Sequence, residues 1–108
     1  MLIFLSLIDD DEGKEKFGAL YNLYRKKMFF VANEILHNEC DAEDAVQETL
    51  LSLARNIKNV DVVHSKKAYY YVMTITENTA LNLLKKKKGE SRKIINLDFD
   101  DDSWLFVS

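Results

Sequence analysis

Residues Asp41 to Asn56 read DAEDAVQETLLSLARN and predict an amphipathic helix. Asp41 is placed to cap the first free backbone N–H groups, and Glu43 and Asp44 put negative charge where the helix dipole favours it. One side of this helix has the three- and four-residue spacing of a side that faces a core. Its residues are Ala42, Ala45, Val46, Thr49, Leu50, Leu53 and Ile57. The stretch therefore predicts one core-facing helix.

The other side of this predicted helix carries residues that a core does not require. They are Asp44, Gln47, Glu48, Leu51 and Arg55. Charged side chains around an exposed apolar residue are typical of a surface where a helix docks on another protein. The alternative is a solvated helix face with one exposed leucine, since single exposed apolar residues are common.

Length and composition indicate one helical domain. A chain of 108 residues can form a single modest core, and the absence of proline with only three glycines favours long uninterrupted helices. The single cysteine, Cys40, cannot form an internal disulfide, which agrees with a reducing cytosol, and we expect a cytoplasmic protein. The sequence shows no Gly-Lys-Ser/Thr phosphate loop, no nucleophile with a plausible base and no Cys-x-x-Cys pair near His37 or His64. We therefore expect no enzyme, no cofactor and no metal site.

The net charge of −3 conceals a strong partition along the chain. Residues 1–60 carry seven basic and eleven acidic side chains, residues 61–93 carry eight and three, and residues 94–108 carry none and four. A compact basic third inside an acidic protein indicates an anionic partner better than the total charge does.

The N-terminal third predicts a strap followed by a long helix. Met1 to Ile8 is apolar, but it lacks a basic start and is too short to span a bilayer. We expect it to lie over a hydrophobic seam, with a partner contact or disorder as the alternatives, and we expect no membrane insertion. A helix with a continuous apolar stripe is then predicted from about Glu12 to Leu36. Arg25, Lys26 and Lys27 interrupt the stripe as a solvated basic cluster, although one of them could reach a phosphate.

A loop with one helical turn is predicted over residues 56–64, with Val60 and Val63 turned inward. Ser65 should cap a third helix that ends at Gly89, a residue suited to a left-handed C-terminal position. At about 100° per residue, one side of this helix gathers cations for phosphates, an aromatic ring for stacking and amides that can read base edges. Its residues are Lys67, Tyr71, Thr74, Asn78, Asn82 and Lys85. The alternative is a polar face with a lone tyrosine. Among Tyr69, Tyr70 and Tyr71, at least one ring should face solvent or a ligand.

The motif D-A-E-D-A-V-Q-E-T, preceded by a long amphipathic helix and followed by a helix ending N-T-A-L-N-L-L-K-K-K-K, resembles region 2 of the bacterial sigma factors. Within the sigma-70 family it is most similar to the extracytoplasmic-function (ECF) group, over roughly Phe17 to Lys88. The family pattern at this helix, D-A-E-D-x-x-Q-E, is met without departure. The resemblance implies an all-α, three-helix bundle that docks on the clamp helices of the largest subunit of the RNA polymerase core. It makes these residues the polymerase contacts: Asp44, Gln47 and Glu48, with Leu51 beside them.

The resemblance also implies contact with promoter DNA. The run E-N-T-A-L-N-L-L looks like the end of the family's promoter-reading helix, which places Asn78 and Asn82 near the unpaired non-template strand of the minus-ten element. Lys85, Lys86 and the two lysines that follow them resemble the basic C-terminal end of that helix. In the family, this end contacts the DNA backbone. In the family, the loop before this helix forms a pocket for a flipped-out base, but its usual polar, glycine-containing sequence is not matched by VDVVH.

We expect a helical domain over residues 1–89 and a flexible acidic tail over residues 90–108. The tail resembles the start of a linker to a second helical domain that reads the minus-thirty-five element. We expect that domain to have been cut away, with a lone region 2 as the alternative. The competing functional hypothesis is a helical protein-interaction module whose basic face meets an acidic regulatory partner without reading DNA. A generic duplex-DNA binder is disfavoured because no compact helix-turn-helix is visible. An anti-sigma factor is a further partner that the resemblance allows.

Overall fold

The computed structural model describes residues 2–92, with side chains described from residue 3 to residue 89. All regular structure in this part of the chain is helical. The elements are α1 (Leu2–Leu5), α2 (Asp11–Leu36), α3 (Glu39–Arg55), a 3-10 turn (Ile57–Asn59) and α4 (Lys66–Arg92). The prediction of an all-α bundle built on three long helices is confirmed. The predicted acidic tail lies almost entirely outside the described residues.

The link between α2 and α3 is only two residues long, and its geometry shows that the predicted start of α3 is wrong. His37 ends α2 in the left-handed conformation, with φ 52°, and its N–H donates to the Asn33 carbonyl. Asn38 is extended, and its side-chain oxygen accepts the N–H of Asp41 at 3.0 Å. The cap of α3 is therefore Asn38, and the predicted capping role of Asp41 is wrong. The helix begins earlier because Asn38 offers the same type of capping oxygen three residues upstream.

The three long helices bury a common core. Large side chains from each of them are almost fully buried: Phe17, Leu20, Met28, Leu50, Leu53 and Val72. Burial of each such aliphatic or aromatic side chain contributes about 1.5–3 kcal/mol. Thr49 and Thr76 are also buried, and each hydroxyl donates to the carbonyl four residues earlier at 2.8 Å. The core side of α3 that the sequence predicts, including Ile57 just beyond the helix, is buried at every position.

Contacts at the two ends of the bundle show that α2 and α4 run in the same direction. The rings of Tyr24, in the middle of α2, and Tyr69, in the first turn of α4, lie 5.9 Å apart. Leu36, the last residue of α2, belongs to the same small apolar cluster as Ala80 and Leu83, which lie further along α4. Ala42, at the start of α3, lies in that cluster too, so α3 runs antiparallel to both. It follows that α3 and α4 are neighbouring helices that run in opposite directions.

The N-terminal residues form the strap that the sequence predicts. The rings of Phe4 and Phe17 lie 5.9 Å apart, and Phe4 and Ile8 are both buried in the main core. Gly13 permits this close approach, because a Cβ there would come within 2.7 Å of the Ile8 side chain and 2.6 Å of the Asp10 carboxylate. The Asp10 carboxylate in turn caps α2 by accepting the Gly13 N–H at 2.9 Å.

The loop and α4 follow the prediction up to the end of the helix. Val60 is buried, Val63 is half-buried, and the Ser65 hydroxyl caps α4 by accepting the Ala68 N–H at 3.1 Å. The predicted helix end at Gly89 is wrong, since α4 continues to Arg92 and no glycine has a positive φ in the described part of the chain. Neither proline nor a left-handed residue interrupts the helix there. The division of the chain into 1–89 and 90–108 stays a prediction.

Candidate functional site

The outer face of α3 carries the residues that the sequence assigns to polymerase docking. Asp44, Gln47 and Glu48 are all exposed and share one side of the helix. Leu51 was expected to be exposed, but it is half-buried and packs against the main core. The structure therefore presents a polar surface at this position, with only part of the leucine open to a partner.

An ion pair joins the beginning of α3 to the last turns of α4. The Lys87 ammonium lies 2.8 Å and 2.7 Å from the two carboxylate oxygens of Asp41. Asp41 is 14% exposed at its side chain and Lys87 is 50% exposed, so the pair lies at the edge of the bundle. Lys87, which the resemblance placed among the lysines that meet DNA, therefore points towards α3. Helical spacing could have indicated this, because Lys87 follows Leu83 by four residues and extends the core side of α4.

The outer stripe of α4 has the exposure that its spacing predicts, with one exception. The side chains open to solvent are Lys67, Thr74, Asn78, Asn82, Lys85 and Lys86. Tyr71 is half-buried, and its hydroxyl accepts a hydrogen bond from the Asn59 side chain at 3.3 Å. The tyrosine that does face solvent is Tyr70, at 62% exposure, with its ring edge against Tyr69. The sequence required one exposed ring in this triplet and placed Tyr71 on the exposed stripe, whereas the exposed ring is that of Tyr70.

A cavity of about 280 Å³ lies where the loop meets the start of α4. Its lining residues are Asn59, Val60, Asp61, Val62, Ser65, Lys67, Ala68 and Tyr71. The carbon-rich walls suit a flat apolar group, and the few polar side chains at hand could orient it. Sequence reasoning included Lys67 and Tyr71 in the site but missed Asn59, Asp61 and Val62. The resemblance implied a pocket at this loop. The signal was weak because VDVVH does not match the family's usual loop sequence.

The loop that forms one wall of this cavity is fastened to α2. The Tyr24 hydroxyl donates a hydrogen bond to the Val63 carbonyl at 3.0 Å. Burial raises the pKa of Tyr24 above its ordinary value of 10.0, and proximity to Tyr69 raises it further. The neutral phenol is therefore the form that holds the loop, since only that form can donate.

The basic cluster on α2 forms a separate surface. Arg25, Lys26 and Lys27 are all exposed, as expected of a solvated face. The Arg25 guanidinium lies 5.4 Å from the centre of the Tyr21 ring, and the Lys27 ammonium lies 5.6 Å from that of Phe30.

A model of sigma-70 region 2 matches residues 20–90, which is more than half of the chain. The chain belongs to the sigma-70 region 2 family. A comparison with curated proteins and a comparison with solved structures find no match. Region 2 is a non-enzymatic domain, and membership supports a sigma-factor-like role in promoter recognition, with the polymerase core and promoter DNA as partners.

The sigma-70 region 2 match covers α3 and the loop entirely, together with most of α2 and nearly all of α4. Every residue that the sequence assigns to the two interfaces lies inside it, and their individual roles stay predictions. Among residues 2–92 of this region 2 domain, none of the helices combines the length and apolar character needed to cross a bilayer.

Proposed function

We propose that this region 2 domain belongs to an ECF-type sigma factor and acts in the cytoplasm on two partners at once. In this proposal, α3 docks on the clamp helices of the largest polymerase subunit through Asp44, Gln47 and Glu48. The α4 stripe binds the unpaired non-template strand of the minus-ten element. An anti-sigma factor that covers either surface would regulate the domain.

The observation that carries the proposal is the composition of the exposed stripe on α4. Between Lys67 and Lys85, its exposed positions carry amides, a hydroxyl and lysines, and the exposed acid of this part of α4, Glu77, lies beside the stripe. Such a surface can neutralise phosphates with its lysines and make hydrogen bonds to base edges with Asn78 and Asn82. The adjoining cavity adds a place for one base outside the stack.

Strand separation then follows from binding energy rather than from chemistry. Unpairing a base costs a few kcal/mol, and stacking of an unpaired base on an aromatic side chain returns about 1–3 kcal/mol. Tyr70 is exposed enough to stack, and Tyr71 lines the cavity. Capture of the separated strand on α4 would therefore offset much of the cost of melting.

The test is removal of the two amides. We expect Asn78→Ala with Asn82→Ala to reduce the discrimination between a minus-ten single strand and a scrambled strand by about 1–3 kcal/mol. The salt dependence should not change, because neither side chain is charged. Fluorescence anisotropy on both oligonucleotides, with polymerase core present, measures both quantities.

Asn22→Ala is the matched control, because it removes an exposed amide from α2 and should leave discrimination unchanged. If the unmutated domain binds both strands equally in the presence of core, promoter reading is excluded. An interaction module with an acidic regulatory partner then becomes the better account of the basic face.

A further inference from the structure

The cavity beside α4 combines apolar walls with charged side chains at its edge, two lysines and one aspartate. Val60, Val62 and Ala68 supply carbon-rich walls, and Val62 remains 60% exposed at the opening. Lys67 lines the cavity, and Lys66 is exposed next to it, while Asp61 is the one acid among the lining residues. A segment that presents an aromatic ring among several acids would complement this surface.

The chain itself contains such a segment. Residues 94–108 read IINLDFDDDSWLFVS, with four aspartates, no basic residue and the aromatic residues Phe99, Trp104 and Phe106. Residues 61–93 carry the opposite excess, with eight basic and three acidic side chains. An unpaired DNA strand has the same two features, closely spaced anions and flat rings, so the segment and the strand would suit one surface.

The lengths allow the segment to reach the cavity. Tyr71 lies 21 residues before Arg92 on α4, which at 1.5 Å per residue is about 32 Å. Twelve extended residues, from Arg92 to Trp104, span at most roughly 40 Å. A segment that turns back along α4 can therefore bring its aspartates over the basic stripe and Trp104 to the cavity.

We propose that residues 94–108 dock on the α4 stripe, with Trp104 in the cavity, and compete with the DNA strand for that surface. The competition rests on the proposed function, whereas the docking does not. A second exposed surface with cations, around Leu23 and Phe30 on α2, is less suitable for the ring because neither residue lines the cavity at α4. This α2 surface supplies a control.

Trp104 is the only tryptophan of the chain, so its emission reports docking in the full 108-residue protein. We expect emission at shorter wavelength than that of a synthetic peptide of residues 94–108, because the cavity removes water from the indole. The position of the maximum should not change on dilution, since the contact is within one molecule. Addition of a minus-ten single strand should shift the emission to longer wavelength.

Two variants of the full chain locate the contact. Val62→Asp places a negative charge at the cavity opening and should shift the Trp104 emission towards that of the peptide. Leu23→Asp places the same charge at an exposed leucine of the α2 surface and should have no effect. Circular dichroism of both variants checks that the helices are intact, since both positions are at least partly exposed.

A third variant tests competition. Changing Asp98, Asp100, Asp101 and Asp102 to asparagine should tighten binding of the single strand about three- to tenfold, as expected if the segment covers the surface for roughly 70–90% of the time. Its Trp104 emission should also move to longer wavelength.

The outcomes separate the docking from the proposed function. Peptide-like emission in the unmutated protein, a response to Leu23→Asp rather than Val62→Asp, or a shift on dilution would overturn the docking. Docked emission with unchanged strand affinity in the asparagine variant would overturn the competition. Docked emission that responds to Val62→Asp, with no strand binding by any variant in the presence of core, would support the docking and reject the proposed function.

Discussion

Tyr24 is a single side chain on which the position of the loop depends. It is buried in the core, contacts Tyr69 on α4, and holds the Val63 carbonyl with its hydroxyl. Loss of the proton removes the donor and leaves a charge in a poorly hydrated place. The folded state therefore favours the neutral phenol, in agreement with its raised pKa.

This raised pKa predicts a loss of stability in alkali. Because the unfolded chain releases the Tyr24 proton first, near its ordinary pKa of 10.0, the folded state loses relative stability as the pH rises above about 10. Tyr24→Phe should lower the free energy of unfolding at neutral pH by about 0.5–1.5 kcal/mol, the value of one hydrogen bond. The difference between the two proteins should then shrink with increasing pH.

Urea unfolding followed by circular dichroism, from neutral pH to above pH 10, measures both free energies. Subtraction of the variant from the unmutated protein removes the contribution of the lysines and of the other tyrosines. A difference that stays constant across this range would contradict the role assigned to Tyr24.

At the scale of the helices, α3 is the element that the sequence describes best. Its buried side follows from the spacing of its apolar residues, and its exposed polar residues follow from the same periodicity. The first residue of α3 could not be predicted in this way, because Asn38 and Asp41 are both good N-caps. Which of them caps the helix depends on how the two-residue link is oriented. Helical spacing places Lys87 on the core side of α4, but the α3 residue that it pairs with depends on how far α4 extends along α3.

The outer face of α3 should bind the polymerase without contributing to the fold. We expect Gln47→Ala with Glu48→Ala to weaken binding to isolated clamp helices at least several-fold, because both side chains are exposed. The helical signal and the melting temperature should be nearly unchanged, as is usual for exposed substitutions. Titration of labelled clamp helices measures the first quantity, and thermal unfolding measures the second.

Asn22→Ala with Glu34→Ala is the matched control, since it removes one exposed amide and one exposed acid from α2. It should leave the affinity for the clamp helices unchanged. Equal affinities for all three proteins would show that α3 does not dock through these residues.

For α4, the sequence predicted the exposed stripe and its cap but not its length or the cavity. The exposed residues follow from the helical repeat alone. The cavity lies between the loop and α4, and the loop is held in place by the hydrogen bond from Tyr24. A local sequence pattern does not predict contacts between residues so far apart in the chain. Gly89 was a poor guide to the helix end because glycine favours a stop without enforcing one.

At the scale of the whole molecule, the separation of charge along the chain predicts a salt-dependent affinity for single strands. If the lysines of α4 neutralise two to four phosphates, log affinity should fall against log salt with a slope of about −1.4 to −2.8. Lys67→Gln with Lys86→Gln should flatten the slope by about 1.4, at roughly 0.7 per phosphate. Lys87 is not included because it pairs with Asp41.

The series should use the protein in which the four aspartates of residues 94–108 are asparagine, so that the slope reports the DNA strand alone. Lys26→Gln with Lys27→Gln is the control, because both lysines are exposed and belong to α2 rather than to the helix that carries the stripe. The same flattening in both pairs would indicate general attraction by positive charge rather than a path along α4.

The two-residue link between α2 and α3 also bears on how fast the domain folds. His37 and Asn38 join two long antiparallel helices, and the entropy lost in closing so short a loop is small. The pair of helices α2 and α3 can therefore form from contacts that are near in sequence. Only α4 must be brought back over a longer connection, of ten residues. Helical bundles dominated by near-sequence contacts fold in roughly microseconds to milliseconds. The domain should accordingly complete its fold soon after the end of α4 leaves the ribosome.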